Sequence, residues 1–203
     1  MRSEKALKSN VARAPNTIVD PMKPEIELVR QWVEHVVVGL NLCPFASPVF
    51  EQDSIRYSLC ELRDSASILE LIQKEFETLD SSASKNISTT IIILPLLSDF
   101  EVYLDLLDLA NIFLEKGPYL GQFQIASFHP HYVFEGEAAE SRSNFTNRAP
   151  YPILHLIREE DVSRAARFYG DIDEIPRRNV DLLNSLSAEE FDKIFSRFKT
   201  KVD

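Results

Sequence analysis

The groups best able to do chemistry crowd into one stretch of this chain. His129, His131 and His155 lie within residues 128–158, although the whole sequence holds only 4 histidines. Between them runs Asn144-Phe145-Thr146-Asn147-Arg148, and Arg158 closes the stretch. Imidazoles exchange protons or bind metals, amides orient substrates, and guanidinium groups grip carboxylates or phosphates. On residue type, His129 and His155 are candidate general acids and bases. Arg148 and Arg158 are candidate anion ligands, with Asn147, Asn144 and Tyr132 as substrate-positioning groups.

His129 and His131 are two residues apart, a spacing that points both rings to one face of an extended segment. This leaves open a metal site made of His129, His131 and His155, although Pro130 interrupts the pair and no carboxylate ligands fall at a matching spacing. Arg177 and Arg178 could add positive charge at a helix start. Cys43 is a candidate nucleophile or redox thiol, but it leaves a helix C-terminus, where the dipole disfavours a thiolate. Cys60, inside a strand, reads as inert. No Walker, GxGxxG or GxSxG motif is present, and the chain's 5 glycines leave no Gly-rich phosphate loop. No cofactor is indicated by motif.

Helices and strands must position these groups. Pro24 can open a helix whose apolar residues Ile26, Val29, Trp32, Val33, Val36, Val37 and Leu40 form one stripe. It runs out at Gly39-Leu40-Asn41-Leu42-Cys43-Pro44-Phe45, because Pro44 drives Cys43 from helical geometry. A strand follows over 55–62, then a helix over 65–79. Ile91-Ile92-Ile93-Leu94 has the pattern of a central strand covered on both faces. Ser98 and Glu101 predict a capping box for a helix to about Leu114.

Residues 122–128 and 152–157 read as the last two strands. The roughly 20 residues between them show no helical period, the mark of a functional loop in a compact domain. Helices over 159–169 and 176–183, and one capped by Ser187, complete the chain. The order αβαβαβ(loop)βααα predicts one α/β or α+β domain over 24–203, with a four-stranded, mostly parallel sheet flanked by helices. Parallel strands would collect Arg63, Asp64, Ser98, Asp99, His129, His131, Arg158 and Glu159 at one edge of the sheet. An antiparallel last strand would instead bring Tyr151 toward His129 and carry Arg158 away.

Composition narrows the partners. A net charge of −10 and 44% apolar residues describe an acidic globular protein. Nucleic acid and anionic membranes are therefore not expected partners. The 2 cysteines leave no disulfide framework and suggest a reducing, cytoplasmic setting, in which the sequons at Asn86 and Asn144 are coincidental. Residues 1–23 read as a disordered polar tail. A transit peptide is the alternative, disfavoured by the early Glu4. Oligomeric state has no sequence signal.

The motifs GLNLCPF (39–45), FHPxYxF (128–134) and NxTNRxPYPxLHLxRE (144–159) resemble an uncharacterised bacterial family of unknown function. The likeness runs from about Glu25 to Phe195 and takes in Ile175-Pro176 and Asn179. It implies importance for Asn41, Cys43, His129, Tyr132, Asn144, Asn147, Arg148, Tyr151, His155, Arg158 and Glu159, but it implies no activity. It does not extend to His131, which weakens the three-histidine metal site.

Three readings follow. The leading one is a small enzyme acting on an anionic metabolite, with His129 and His155 as acid–base groups, Cys43 assisting, and Arg148 and Arg158 holding the anion. The others are a metal-dependent enzyme using His129, His131 and His155, and a non-catalytic binding or regulatory module. A pocket lined by His129, Arg148 and Arg158 would speak against the last; a closed polar network would favour it.

Overall fold

The computed structural model describes residues 23–169 and 172–199. The expected tail therefore lies outside the described residues, except for Lys23, whose ammonium sits 3.1 Å from Glu61. Helix α1 (Pro24–Trp32) starts at Pro24 and buries Ile26, Val29 and Trp32. It runs on as a π-helix over Val33–Val38. The chain then folds through a short helix not expected from sequence, α2 (Ala46–Glu51), into β1 (Ile55–Leu59). Next come α3 (Ser65–Ser81), β2 (Thr89–Ile93), α4 (Phe100–Lys116) and β3 (Phe123–Phe128). A 3-10 turn (Arg142–Thr146) interrupts the long loop before β4 (Ile153–Arg158). Helices α5 (Glu159–Tyr169), α6 (Ile175–Ser185) and α7 (Ala188–Phe195) follow.

Local chemistry sets several of these boundaries. Asp99, not Ser98, caps α4, its carboxylate accepting from the Val102 N–H at 3.1 Å. At α7 both halves of the Ser187–Glu190 capping box form.

The sheet is mixed, which corrects the mostly parallel arrangement expected. Its order is β1-β2-β4-β3, with β1 parallel to β2 and β4 antiparallel to both neighbours. A parallel β4 would need a crossover back to the other end of the sheet, normally made by a helix. The loop after β3 has none, so it returns at the end where it left: Phe128 pairs with Ile153, and Phe123 with Arg158.

One face of the sheet packs Ile92, Leu154 and Leu156 against Ile68, Ile72 and Phe76 of α3 and Tyr103 and Leu106 of α4. The other packs Tyr57, Ile91 and Ile153 against Val29 and Trp32 of α1, Leu183 of α6 and Phe195 of α7. Together these elements make one α+β domain. Tyr103 ties the end of the sheet that matters most here. Its fully buried hydroxyl donates to the Ile153 carbonyl at 2.7 Å and accepts the Phe128 N–H at 3.1 Å. The start of the long loop is thereby held against α4.

Candidate functional site

The loop from 129 to 152 is built largely by its own polar groups. Asn144 is completely buried, and its amide reaches three backbone groups of the loop. Its Oδ1 accepts the Phe134 N–H at 3.0 Å, while Nδ2 donates to the carbonyls of Ala138 at 2.8 Å and Ala139 at 3.3 Å. Asn147 donates to the Ser127 carbonyl at 3.0 Å, accepts from the Thr146 hydroxyl at 3.1 Å, and offers its own carbonyl to the His129 N–H. Arg142 anchors the 3-10 turn to the end of α6 by donating to the Leu183 and Leu186 carbonyls. The buried parts of the loop around His129, Ser143 and Asn144 need such partners, because an unpaired backbone group away from water is costly. Tyr132 packs its ring 4.9 Å from Phe134 and sets its hydroxyl 3.4 Å from that of Ser127.

His129 is a fully buried member of this framework. Its Nδ1 accepts the His131 N–H at 3.0 Å, which assigns the proton to Nε2, 3.4 Å from the Leu97 carbonyl. The rings of Phe100 and Tyr103 lie 5.0 Å and 5.1 Å away. Burial pushes its pKa down to about 4, so the ring is neutral at ordinary pH. Neither nitrogen is left to meet a substrate.

His155 lies in the middle of β4, opposite Ile91 and Ala126. The Thr89 hydroxyl donates to the Leu156 carbonyl at 2.5 Å, so the Thr89 oxygen accepts from His155 Nε2 at 2.7 Å. Burial pushes this imidazole to about 4 as well.

Arg158 is carried to the far end of the sheet, as an antiparallel β4 requires. Its guanidinium donates to the Leu79, Ser82 and Ile87 carbonyls, pinning the end of α3 and the approach to β2. The six-residue β4 spans roughly 20 Å, so Arg158 and Arg148 do not share a ligand of metabolite size. The three histidines do not converge either. Among the described residues, no group of three His, Cys, Asp or Glu side chains is placed to hold a metal ion.

The GLNLCPF segment also answers to backbone needs. A Cβ at Gly39 would fall 2.4 Å from the His35 carbonyl oxygen, so only glycine fits where the chain leaves the π-helix. Asn41 takes φ +52°, a left-handed conformation that asparagine tolerates well. Arg178 donates to the Asn41 carbonyl at 2.6 Å, and the buried Asn179 to that of Leu42 at 2.7 Å. Half-buried Cys43 has its thiol pKa pushed up by burial, against opposing pulls from the Phe45 and Ala46 N–H groups and Arg178. That environment keeps it a thiol rather than a nucleophilic thiolate.

What the fold leaves open is a cleft of about 240 Å³ beside the same loop. Its charged and titratable edge consists of His131, Arg148 and Lys199; its apolar wall includes Trp32, Phe145, Phe195 and Phe198. Among the described residues, no acidic side chain lines it. Arg148 stacks 4.5 Å from the centre of the Phe145 ring and is held by two loop carbonyls. Its Nε donates to Tyr132 at 3.1 Å and its Nη2 to Ala139 at 2.7 Å. His131 is exposed, whereas Trp32 is almost completely buried and its indole N–H has no partner among the described residues. A second depression of about 290 Å³, lined by Glu135, Glu137 and Arg177 among others, holds of the residues singled out from sequence only Arg177.

Of the expected residues, Arg148 and His131 thus meet at the cleft. Asn144, Asn147 and Tyr132 build the loop that presents Arg148, while His129 supports the turn beneath. His155, Cys43 and Arg158 sit elsewhere. The aromatic wall was missed because Trp32, Phe195 and Phe198 are spaced like helix-core residues. Nothing in their period tells which core residues border an opening.

Among the described residues, no helix is long and apolar enough to cross a membrane. Comparison with curated proteins found no match, and comparison with solved structures found none. The model of one family, a protein of unknown function (DUF1415), matches residues 25–193. Because that match spans most of the sequence, the chain belongs to the DUF1415 family.

Proposed function

We propose that the protein binds a small anionic molecule in the cleft beside Arg148. The observation that carries this reading is a pre-ordered guanidinium at the edge of a cleft with no acidic lining among the described residues, Glu140 acting on it only as a nearby charge outside ion-pair distance. Among the described residues, Arg148 forms no ion pair, and the cleft it lines contains no carboxylate, although the chain's net charge is −10. Two carbonyls and the Phe145 ring orient the guanidinium in advance, which lowers the ordering cost of binding. Partial burial leaves it less hydrated, and it strengthens attraction to an anion.

Any acid–base chemistry on that ligand would fall to His131, whose exposed imidazole borders the same cleft. This moves the enzyme reading from His129 to His131 and removes Arg158 from the anion site. The non-catalytic reading keeps one specific support: Asn144 and Asn147 spend their amides on the loop itself.

The test is thermal stabilisation by a panel of small anions, measured on the native protein and on Arg148→Gln. Glutamine keeps a donor for the loop carbonyls but removes the charge. A ligand at ~100 times its Kd should stabilise the native protein by roughly 2.7 kcal/mol, and the variant should lose that gain. Equal stabilisation of both proteins would rule out the Arg148 site.

A further inference from the structure

We infer that the cleft selects a monocarboxylate with a flat, single-ring apolar body, its ring against the aromatic wall and its carboxylate on Nη1 of Arg148. This rests on the anion-binding reading above.

Three observations set the class. The first is the donor count. Arg148 has committed its Nε–H and one Nη2–H to the Tyr132 and Ala139 carbonyls, so both N–H bonds of Nη1 and one of Nη2 are without a partner among the described residues. Lys199, the other permanent cation at the cleft, lies 3.4 Å from the Asp192 carboxylate. A phosphate dianion presents three terminal oxygens and is usually met by several N–H groups or a bidentate arginine. The three N–H bonds left on Arg148 suffice to hold one carboxylate end-on, but they are fewer than the oxygens of a phosphate dianion can engage.

The second is the wall. Trp32, Phe145, Phe195 and Phe198 supply four aromatic rings, and Phe145 and Phe195 meet edge to face at 5.0 Å and 68°. Such walls favour a ring that can stack or pack edge-on. Because Arg148 itself lies over Phe145, charge and apolar surface adjoin.

The third is size. A cleft of about 240 Å³ falls below the ~300–1,000 Å³ of sites for drug-sized ligands. One ring with a short acidic arm fits that space; a nucleotide does not.

The molecule carries its own reporter, because its single tryptophan is Trp32, in the cleft wall. The experiment titrates the full chain with phenylacetate, acetate, inorganic phosphate and benzyl alcohol, following tryptophan fluorescence. Phenylacetate should give a saturable change with a Kd at least about tenfold below those of the other three, a gap of about 1.4 kcal/mol. Arg148→Gln should abolish that preference over benzyl alcohol. Phe198→Ala should weaken phenylacetate while leaving acetate unchanged, so the inference remains testable if the arginine variant folds poorly.

Acetate or phosphate binding as tightly as phenylacetate, with both lost in Arg148→Gln, would overturn the ligand class and leave the anion site standing. Benzyl alcohol binding as well as phenylacetate, with neither affected by Arg148→Gln, would overturn both. So would the absence of any saturable response to the anions in fluorescence and thermal stability alike.

Discussion

Acidification should destabilise this protein through His129, and the size of the effect follows from its surroundings. An ordinary imidazole titrates near 6.5, whereas burial among Phe100, Tyr103 and the loop backbone pushes this one to about 4. The unfolded chain therefore takes up a proton that the folded chain refuses. The stability associated with neutral His129 is complete above pH 6.5 and is lost as pH falls from there toward 4. For a shift of this size, going from pH 8 to pH 5 should cost about 2 kcal/mol, and full protonation about 3 kcal/mol. His155 shifts in the same direction and also to about 4, so it adds a loss of similar size that the native protein and a His129 variant share.

Urea unfolding at pH 8 and pH 5 isolates the effect if the native protein is compared with His129→Gln, which cannot titrate. The variant should start less stable but lose about 2 kcal/mol less between the two pH values, because carboxylate titration is common to both proteins. Identical pH dependence in both would refute the assignment. So would a His129 ring that protonates above pH 6 in the folded state, as read by NMR.

Arg158→Met should destabilise the fold by about 2–3 kcal/mol, since three backbone carbonyls lose their donor. Urea unfolding reads that loss, while anion binding at the cleft should be unchanged. Asn144→Ala should also cost about 2–3 kcal/mol, but because Asn144 organises the loop that carries Arg148, anion-induced stabilisation should fall with it. Alkylation of Cys43 by iodoacetamide should keep accelerating beyond pH 9, because burial raises the thiol pKa above its usual value. A rate that levels off near pH 7 would reveal an activated thiolate instead.

The repetitive elements were legible because burial periodicity is local. Ile26, Val29 and Trp32 form the expected stripe of α1, and Thr89–Ile93 is buried along its whole length. Strand direction was not local information. It depended on whether the loop after Phe128 crossed the sheet or returned beside Ile153, and the lack of a helical period in that loop was the available clue. Residue type drew attention to the 128–158 stretch but could not tell which of its groups the fold would occupy. His129, Asn144, Asn147 and Arg158 are the residue types of an active site, yet here they satisfy backbone groups in a buried loop and at a helix end. A residue's type gives its hydrogen-bonding capacity; only the fold shows how much of it remains unspent. Arg148 keeps three guanidinium N–H bonds, and His131 keeps an exposed ring.

The most direct test of the anion site is a crystal structure of the protein with phenylacetate bound. A carboxylate oxygen is expected within about 3.2 Å of Arg148 Nη1, with the ring against Trp32 and Phe198. A ligand bound elsewhere, with the Arg148 cleft vacant at saturating concentration, would contradict it.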